Sequence, residues 1–138
     1  PARYEASSPN IVAISGLNAA VKTVKQSQHY EKIRSLTDYL LKQLRLLPNI
    51  VLAGVFDDAS VGENLGIVSF FVKGYKAYEV GEILDKEFDI AVRTGYHCAP
   101  FIHEYIHSKE WGGTVRVGLG IYNTTDDIDE LIDALDTL

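Results

Sequence analysis

Three reactive side chains crowd into Val92-Arg93-Thr94-Gly95-Tyr96-His97-Cys98-Ala99-Pro100: a guanidinium, an imidazole and the only thiol of the chain. Thiolate is the reactive form of cysteine, and neighbouring positive charge favours it. Arg93, and His97 if protonated, stand close enough in sequence to supply that charge. A lone cysteine is otherwise a small buried hydrophobe, so position decides between the two readings. Ile90-Ala91-Val92 reads as a short strand ending at Arg93, and Gly95 and Pro100 mark a turn after it. Cys98 is therefore expected on a loop just past a strand end, where a thiol can meet a ligand.

Two further sets of residues could do chemistry. Arg116 interrupts the apolar run Val115-Arg116-Val117, and strand alternation puts it on the face opposite its valine neighbours. Its planar fork of donors matches a carboxylate, although a solvent-facing or salt-bridged arginine fits the same pattern. His103-Glu104-Tyr105-Ile106-His107 spells the His-Glu-x-x-His signature of zinc hydrolases. The extended form of that motif wants Gly and His where this chain has Glu110 and Gly113. Pro100 and Gly112-Gly113 leave little room for a helix, so no metal site is expected and these histidines are assigned to a partly exposed surface helix.

The elements that must position these groups follow from periodicity and punctuation. Residues 1–9 read as an extended lead-in. A helix over about 11–24 has Asn10 as its cap, with Ser8 as a rival that would put Pro9 in the first turn. It is apolar or small on most sides, so it is expected to be buried or to lie against another domain. A second helix, about 28–47, carries a stripe at Ile33, Leu36, Leu40, Leu44 and Leu47 and stops at Pro48. Strands are expected at 50–56 and 66–72, flanking a polar loop. A helix at about 76–87 follows, then the strand into Arg93, a short helix at 101–109 and a strand at 114–119. The last helix begins near Thr125, capped by Asn123 or Thr124, with Ile128, Leu131, Ile132 and Leu135 on one face. Short strand–strand links and separate helices predict an α+β fold with a largely antiparallel sheet.

Residues 93–99, Arg-Thr-Gly-Tyr-His-Cys-Ala, together with Gly113-Thr114-Val115-Arg116-Val117-Gly118 and Tyr122-Asn123-Thr124, resemble the end of a pyridoxal-phosphate-dependent cysteine desulfurase. The likeness is closer to the group that includes selenocysteine lyases, within the class V aminotransferase family. The opening Arg3-Tyr4-Glu5-Ala6-Ser7-Ser8-Pro9-Asn10 resembles a family segment usually written Phe-Glu-Ala-Gly-Thr-Pro-Asn. These motifs occur in the family's order and span nearly the whole chain. The resemblance implies the small C-terminal domain of a fold-type I enzyme. It assigns to Cys98 the attack on substrate sulfur that leaves a persulfide, and to Arg116 the grip on the substrate's α-carboxylate. Arg93 is implied near thiol and substrate. Ser8 falls where the family's threonine helps hold the cofactor phosphate of the neighbouring subunit, although Ser7 replaces a glycine there. Tyr96 stands where histidine is frequent, so no proton-transfer role is carried over to it.

A pyridoxal enzyme needs a lysine to bind its cofactor, and in the family it follows a histidine; no His-Lys pair occurs here. The resemblance thus implies an N-terminal pyridoxal 5'-phosphate domain outside this chain, and an isolated chain that neither holds the cofactor tightly nor turns over. In full-length form it implies a cytoplasmic homodimer that takes sulfur from L-cysteine and passes it to a sulfur-acceptor protein, as in iron–sulfur cluster assembly. The alternatives are a selenocysteine lyase or other class V enzyme that does not need the thiol, and a non-enzymatic interaction module.

Composition agrees with these expectations. A length of 138 residues suits one domain, 1–138, with 1–27 as lead-in and connecting helix. A net charge of -6 and a pI near 5.1 argue against a nucleic-acid partner. No run approaches the ~20 apolar residues of a membrane span, and nothing at the start reads as a signal peptide. A single cysteine allows no internal disulfide and suits a reducing compartment. The absence of methionine makes a fragment of a longer protein the expectation.

Overall fold

Two short apolar segments build the middle of a sheet. The computed structural model describes residues 8–26, 29–54, 64 and 66–138. Strand β2 (Ile67–Val72) turns Val68, Phe70 and Val72 to the core, and β4 (Thr114–Gly118) adds Val115 and Val117. They pair antiparallel with Ser69 opposite Arg116 and Phe70 opposite Val115. Strands β1 (Ile50–Leu52) and β3 (Arg93–Gly95) flank them, giving the order β1-β2-β4-β3, antiparallel throughout. The expected α+β class and antiparallel sheet are what the chain forms.

Helices cover one face. In α2 (His29–Leu44), Leu36, Thr37, Leu40, Leu41 and Leu44 are buried. In α3 (Ala77–Phe88), Ala77, Val80 and Leu84 are buried; Asp89, in left-handed conformation, ends the helix. In α5 (Thr125–Asp136), Ile128, Leu131, Ala134 and Leu135 are buried. Each large apolar side chain buried here contributes about 1.5–3 kcal/mol. The cap of α5 is Thr124, whose hydroxyl accepts from Asp127 N–H while the Asp127 carboxylate accepts from Thr124 N–H at 2.9 Å. Asn49 ties the turn after α2 to α5, its Nδ2 donating to Leu135 O at 2.9 Å.

Helix α1 (Ile11–Gln26) is the exception. Asn10, not Ser8, caps it, the Asn10 Oδ1 accepting from Ala13 N–H at 3.1 Å. Its apolar residues are largely exposed among the described residues: Val12 is 83% exposed, Ile11 69% and Leu17 65%. Burial within this chain is thus corrected, and the other half of that expectation, a face for another domain, is left standing. No helix among the described residues is long and apolar enough to cross a membrane.

Three boundaries differ from the periodicity. The strand expected over 90–92 starts at Arg93, because Asp89 throws the chain out of α3 and Ile90 and Val92 pack on the core without joining the ladder. The helix expected over 101–109 is α4 (Pro100–Tyr105), followed by a 3-10 turn at Lys109–Trp111. The first strand is Ile50–Leu52; Val55 and Phe56, most of the polar loop and the opening motif up to Ser7 lie outside the described residues.

Candidate functional site

The sheet face away from the helices carries the charged groups. Arg93 and Arg116 stand directly opposite one another in the β3–β4 ladder, and Ser69 flanks Arg116 on its other side. Side chains of paired residues share a face, so two guanidiniums and a hydroxyl form one row across three strands. Like charges placed opposite each other destabilise a sheet unless something anionic lies between them. No ion pair to either arginine is formed among the described residues.

Strand β3 then delivers the thiol into this row. Beyond Gly95 the chain makes a tight turn, Ala99 N–H donating to Tyr96 O at 2.9 Å, and both central residues, His97 and Cys98, have positive φ of 53° and 63°. That is the backbone of a primed turn, ordinarily built from Gly or Asn. Two consecutive non-glycine residues held there store strain, a feature that clusters at functional sites. The turn leaves Cys98 exposed and brings its Sγ within 3.6 Å of Arg93 Nη2. A guanidinium N–H aimed at sulfur stabilises negative charge on it.

His97 does not serve the thiol. Its Nε2 lies 2.9 Å from Thr114 Oγ1, and its buried Nδ1 has no hydrogen-bond partner among the described residues. Burial, and then the Arg116 guanidinium, hold this imidazole below the usual histidine range; the contact with Thr114 opposes them, and Arg93 and His103 lower it further. The expectation that a protonated His97 would favour the thiolate is thereby corrected; the cationic group in contact with the sulfur is Arg93.

The zinc-like motif resolves into something else. His103 is 2% exposed, with Nδ1 2.6 Å from Ser108 Oγ and Nε2 2.9 Å from Tyr96 O. Its two nitrogens are committed, while His107 lies past the end of α4 at a φ of 53°. The surface placement expected of both histidines holds for His107 alone. His103 is the residue that sequence reasoning missed. Its contacts come from a loop five residues later and a turn seven residues earlier, which no helical periodicity reveals.

Close backbone approach completes the site. Gly113 has a φ of 101°, and a Cβ there would fall on the carbonyl carbon and oxygen of Gly95. Only glycine lets β4 begin against the strand that carries the cysteine turn. Ser8, the remaining sequence candidate, is exposed just ahead of α1.

Residues 1–131 fit the family described as Aminotransferase class-V, and the chain belongs to it. Among curated proteins it is similar to a cysteine desulfurase of Klebsiella pneumoniae, 37% identical over 139 residues, covering 98% of this chain and 32% of that protein. A cysteine desulfurase of Yersinia pseudotuberculosis is 38% identical over 141 residues, with the same coverage. Among solved structures, the apo cysteine desulfurase of Thermococcus onnurineus NA1 superposes with a TM-score of 0.85 at 27% identity, over 99% of this chain and 33% of that one. The cysteine desulfurase CsdA of Escherichia coli, in an S-sulfonic acid form, gives 0.77 at 26% identity, over 99% and 32%. The chain therefore spans about a third of the length of the relatives it matches.

Proposed function

We propose that this chain is the cysteine-bearing small C-terminal domain, residues 1–138 with 1–27 as lead-in and connecting helix, of a pyridoxal-phosphate-dependent cysteine desulfurase. The observation that carries the reading is the Arg93–Cys98–Arg116 group. It lies in a chain that resembles cysteine desulfurases over 98% of its length. Arg116 takes the α-carboxylate of L-cysteine in its planar fork. Arg93 bridges from that anion to the thiol. The Cys98 thiolate attacks the substrate's sulfur, forming an S–S bond as the substrate's C–S bond breaks. The departing carbon keeps the electron pair and takes up a proton, so the products are alanine and a Cys98 persulfide. Pyridoxal phosphate, when bound, supplies the electron sink that makes this carbon a leaving group.

The residues present fit the substrate side of that chemistry and not the cofactor's aldehyde. Among the described residues no lysine is joined to the group: Lys109 is paired with Glu104, and Lys76 donates to the Glu110 carbonyl. An N-terminal domain brings the lysine, and the bare apolar surface of α1 supports its presence. The full-length enzyme is a cytoplasmic homodimer in which Ser8, exposed ahead of α1, meets the cofactor phosphate of the neighbouring subunit. The exposed cysteine turn suits handover of the persulfide sulfur to an acceptor protein, with iron–sulfur cluster assembly as the consuming process.

Sulfide release from L-cysteine, with a thiol reductant, by the full-length parent and its Cys98→Ala variant tests the reading. Sulfide from the parent and none from the variant is the expected result. Equal rates from both, or none from either, would overturn it. Undiminished turnover of selenocysteine by the variant would identify a lyase instead.

A further inference from the structure

We propose that His103 is a positioning residue that clamps the cysteine turn and so keeps Cys98 beside Arg93. The turn has an evident need for a clamp. Its two central residues sit in left-handed conformations that side chains disfavour, and a single internal bond, Ala99 N–H to Tyr96 O, closes it.

The Tyr96 carbonyl that closes the turn also receives His103 Nε2 at 2.9 Å, so one acceptor is gripped from two sides. The Tyr96 ring packs edge-on to the imidazole, with ring centroids 5.0 Å apart. From His103 the contacts run on through Ser108, a fully buried hydroxyl 2.6 Å from Nδ1. Ser108 O accepts from Gly113 N–H at 3.0 Å, and the next residue, Thr114, meets His97 at 2.9 Å. The circuit thus leaves the turn at Tyr96 and returns to it at His97. A carbonyl carries no hydrogen, so His103 Nε2 donates to Tyr96 O, while Nδ1 meets the Ser108 hydroxyl, which also reaches His103 O at 3.3 Å. At its centre His103 has both ring nitrogens bonded and is buried, which favours one conformation of the turn. This inference rests on the reading of Cys98 as the reacting thiol, but its test needs no turnover.

The experiment compares alkylation of Cys98 by iodoacetate and by iodoacetamide in the full-length protein, read from the Cys98 peptide by mass spectrometry. The anionic reagent is drawn to a thiol flanked by arginines, so the ratio of the two rates reports how the turn is placed. His103→Gln keeps an amide donor where Nε2 stood, whereas His103→Asn keeps only the Ser108 side and His103→Leu keeps neither. The ratio is expected to fall about threefold or more in the Asn and Leu variants and to stay within about twofold of the parent in Gln. An unchanged ratio in folded Asn or Leu protein, or an equal fall in Gln, overturns the proposal. Nitrogen-15 spectra of the unaltered protein decide the matter if the variants do not fold. An Nε2–H tautomer at His103 is expected, and an Nδ1–H tautomer overturns the clamp. Failure of sulfide release in the parent would sink the desulfurase reading and leave this test untouched.

Discussion

Replacing Gly113 by alanine separates two costs that usually come together. Gly112 and Gly113 both have positive φ, 70° and 101°, so alanine at either pays about 1–2 kcal/mol of backbone strain. At Gly112 the new methyl has only Lys76 Cβ within reach, at 4.0 Å, and strain is the whole cost. At Gly113 the methyl falls on the Gly95 backbone, which cannot rotate aside as a side chain would. Overpacking of that kind adds about 1–3 kcal/mol. The expected totals are about 1–2 kcal/mol for Gly112→Ala and about 2–5 kcal/mol for Gly113→Ala, the latter a large share of a typical domain's stability. In urea unfolding the second variant should lose about 1–2 M in midpoint with little change in slope. Gly95 also opens the cysteine turn, so Cys98 alkylation should change in Gly113→Ala and not in Gly112→Ala. Equal losses of stability in the two variants would refute the close-approach argument.

Further outcomes follow from the same geometry. Arg116→Lys in the full-length enzyme should cost about 2–3 kcal/mol in kcat/KM for L-cysteine, some 30- to 150-fold, since an ammonium cannot reproduce the planar fork; steady-state kinetics checks this. His97 should titrate below the usual 6.5 in a proton-NMR titration. With its folded value lowered, the stability it contributes is fully present above about 6.5 and is lost as pH falls through that lowered value. Titration at or above 6.5 would contradict its burial against the arginines. Thr124→Ala should destabilise the fold by about 1 kcal/mol through loss of the α5 cap. Hydrogen bonds from Thr124 and Asn123 lower the Asp127 carboxyl, so its share of the cap is present at neutral pH and lost on acidification below the ordinary carboxylate range. Urea titrations at pH 7 and in acid measure both effects.

The buried stripes of α2 and α5 and the alternation of β2 and β4 were legible because each is local: one face is apolar and its period is set by the backbone. The placement of Arg116 opposite its valines followed from the same rule. What was not legible depends on pairing. Arg93 belongs to β3 because it faces Arg116, a fact of register, while the more strand-like Ile90 and Val92 serve the core without a ladder. His103 reads as a surface histidine until Tyr96 O and Ser108 Oγ are brought to it. Helix α1 was read correctly as unusual, but its apolar composition alone does not tell a buried helix from one awaiting a partner.

The facing arginines also bear on how the protein responds to salts and substrates. Two positive charges held across a strand pair oppose each other while the row is empty, and an anion that binds there relieves that repulsion only in the folded sheet. Stability and occupancy are therefore thermodynamically linked. The expected outcome is a melting temperature raised by an amino-acid carboxylate, or by a simple oxyanion at high concentration, and a response lost when either arginine is neutralised. The repulsion held in the empty row is free energy that an anion bound there would release.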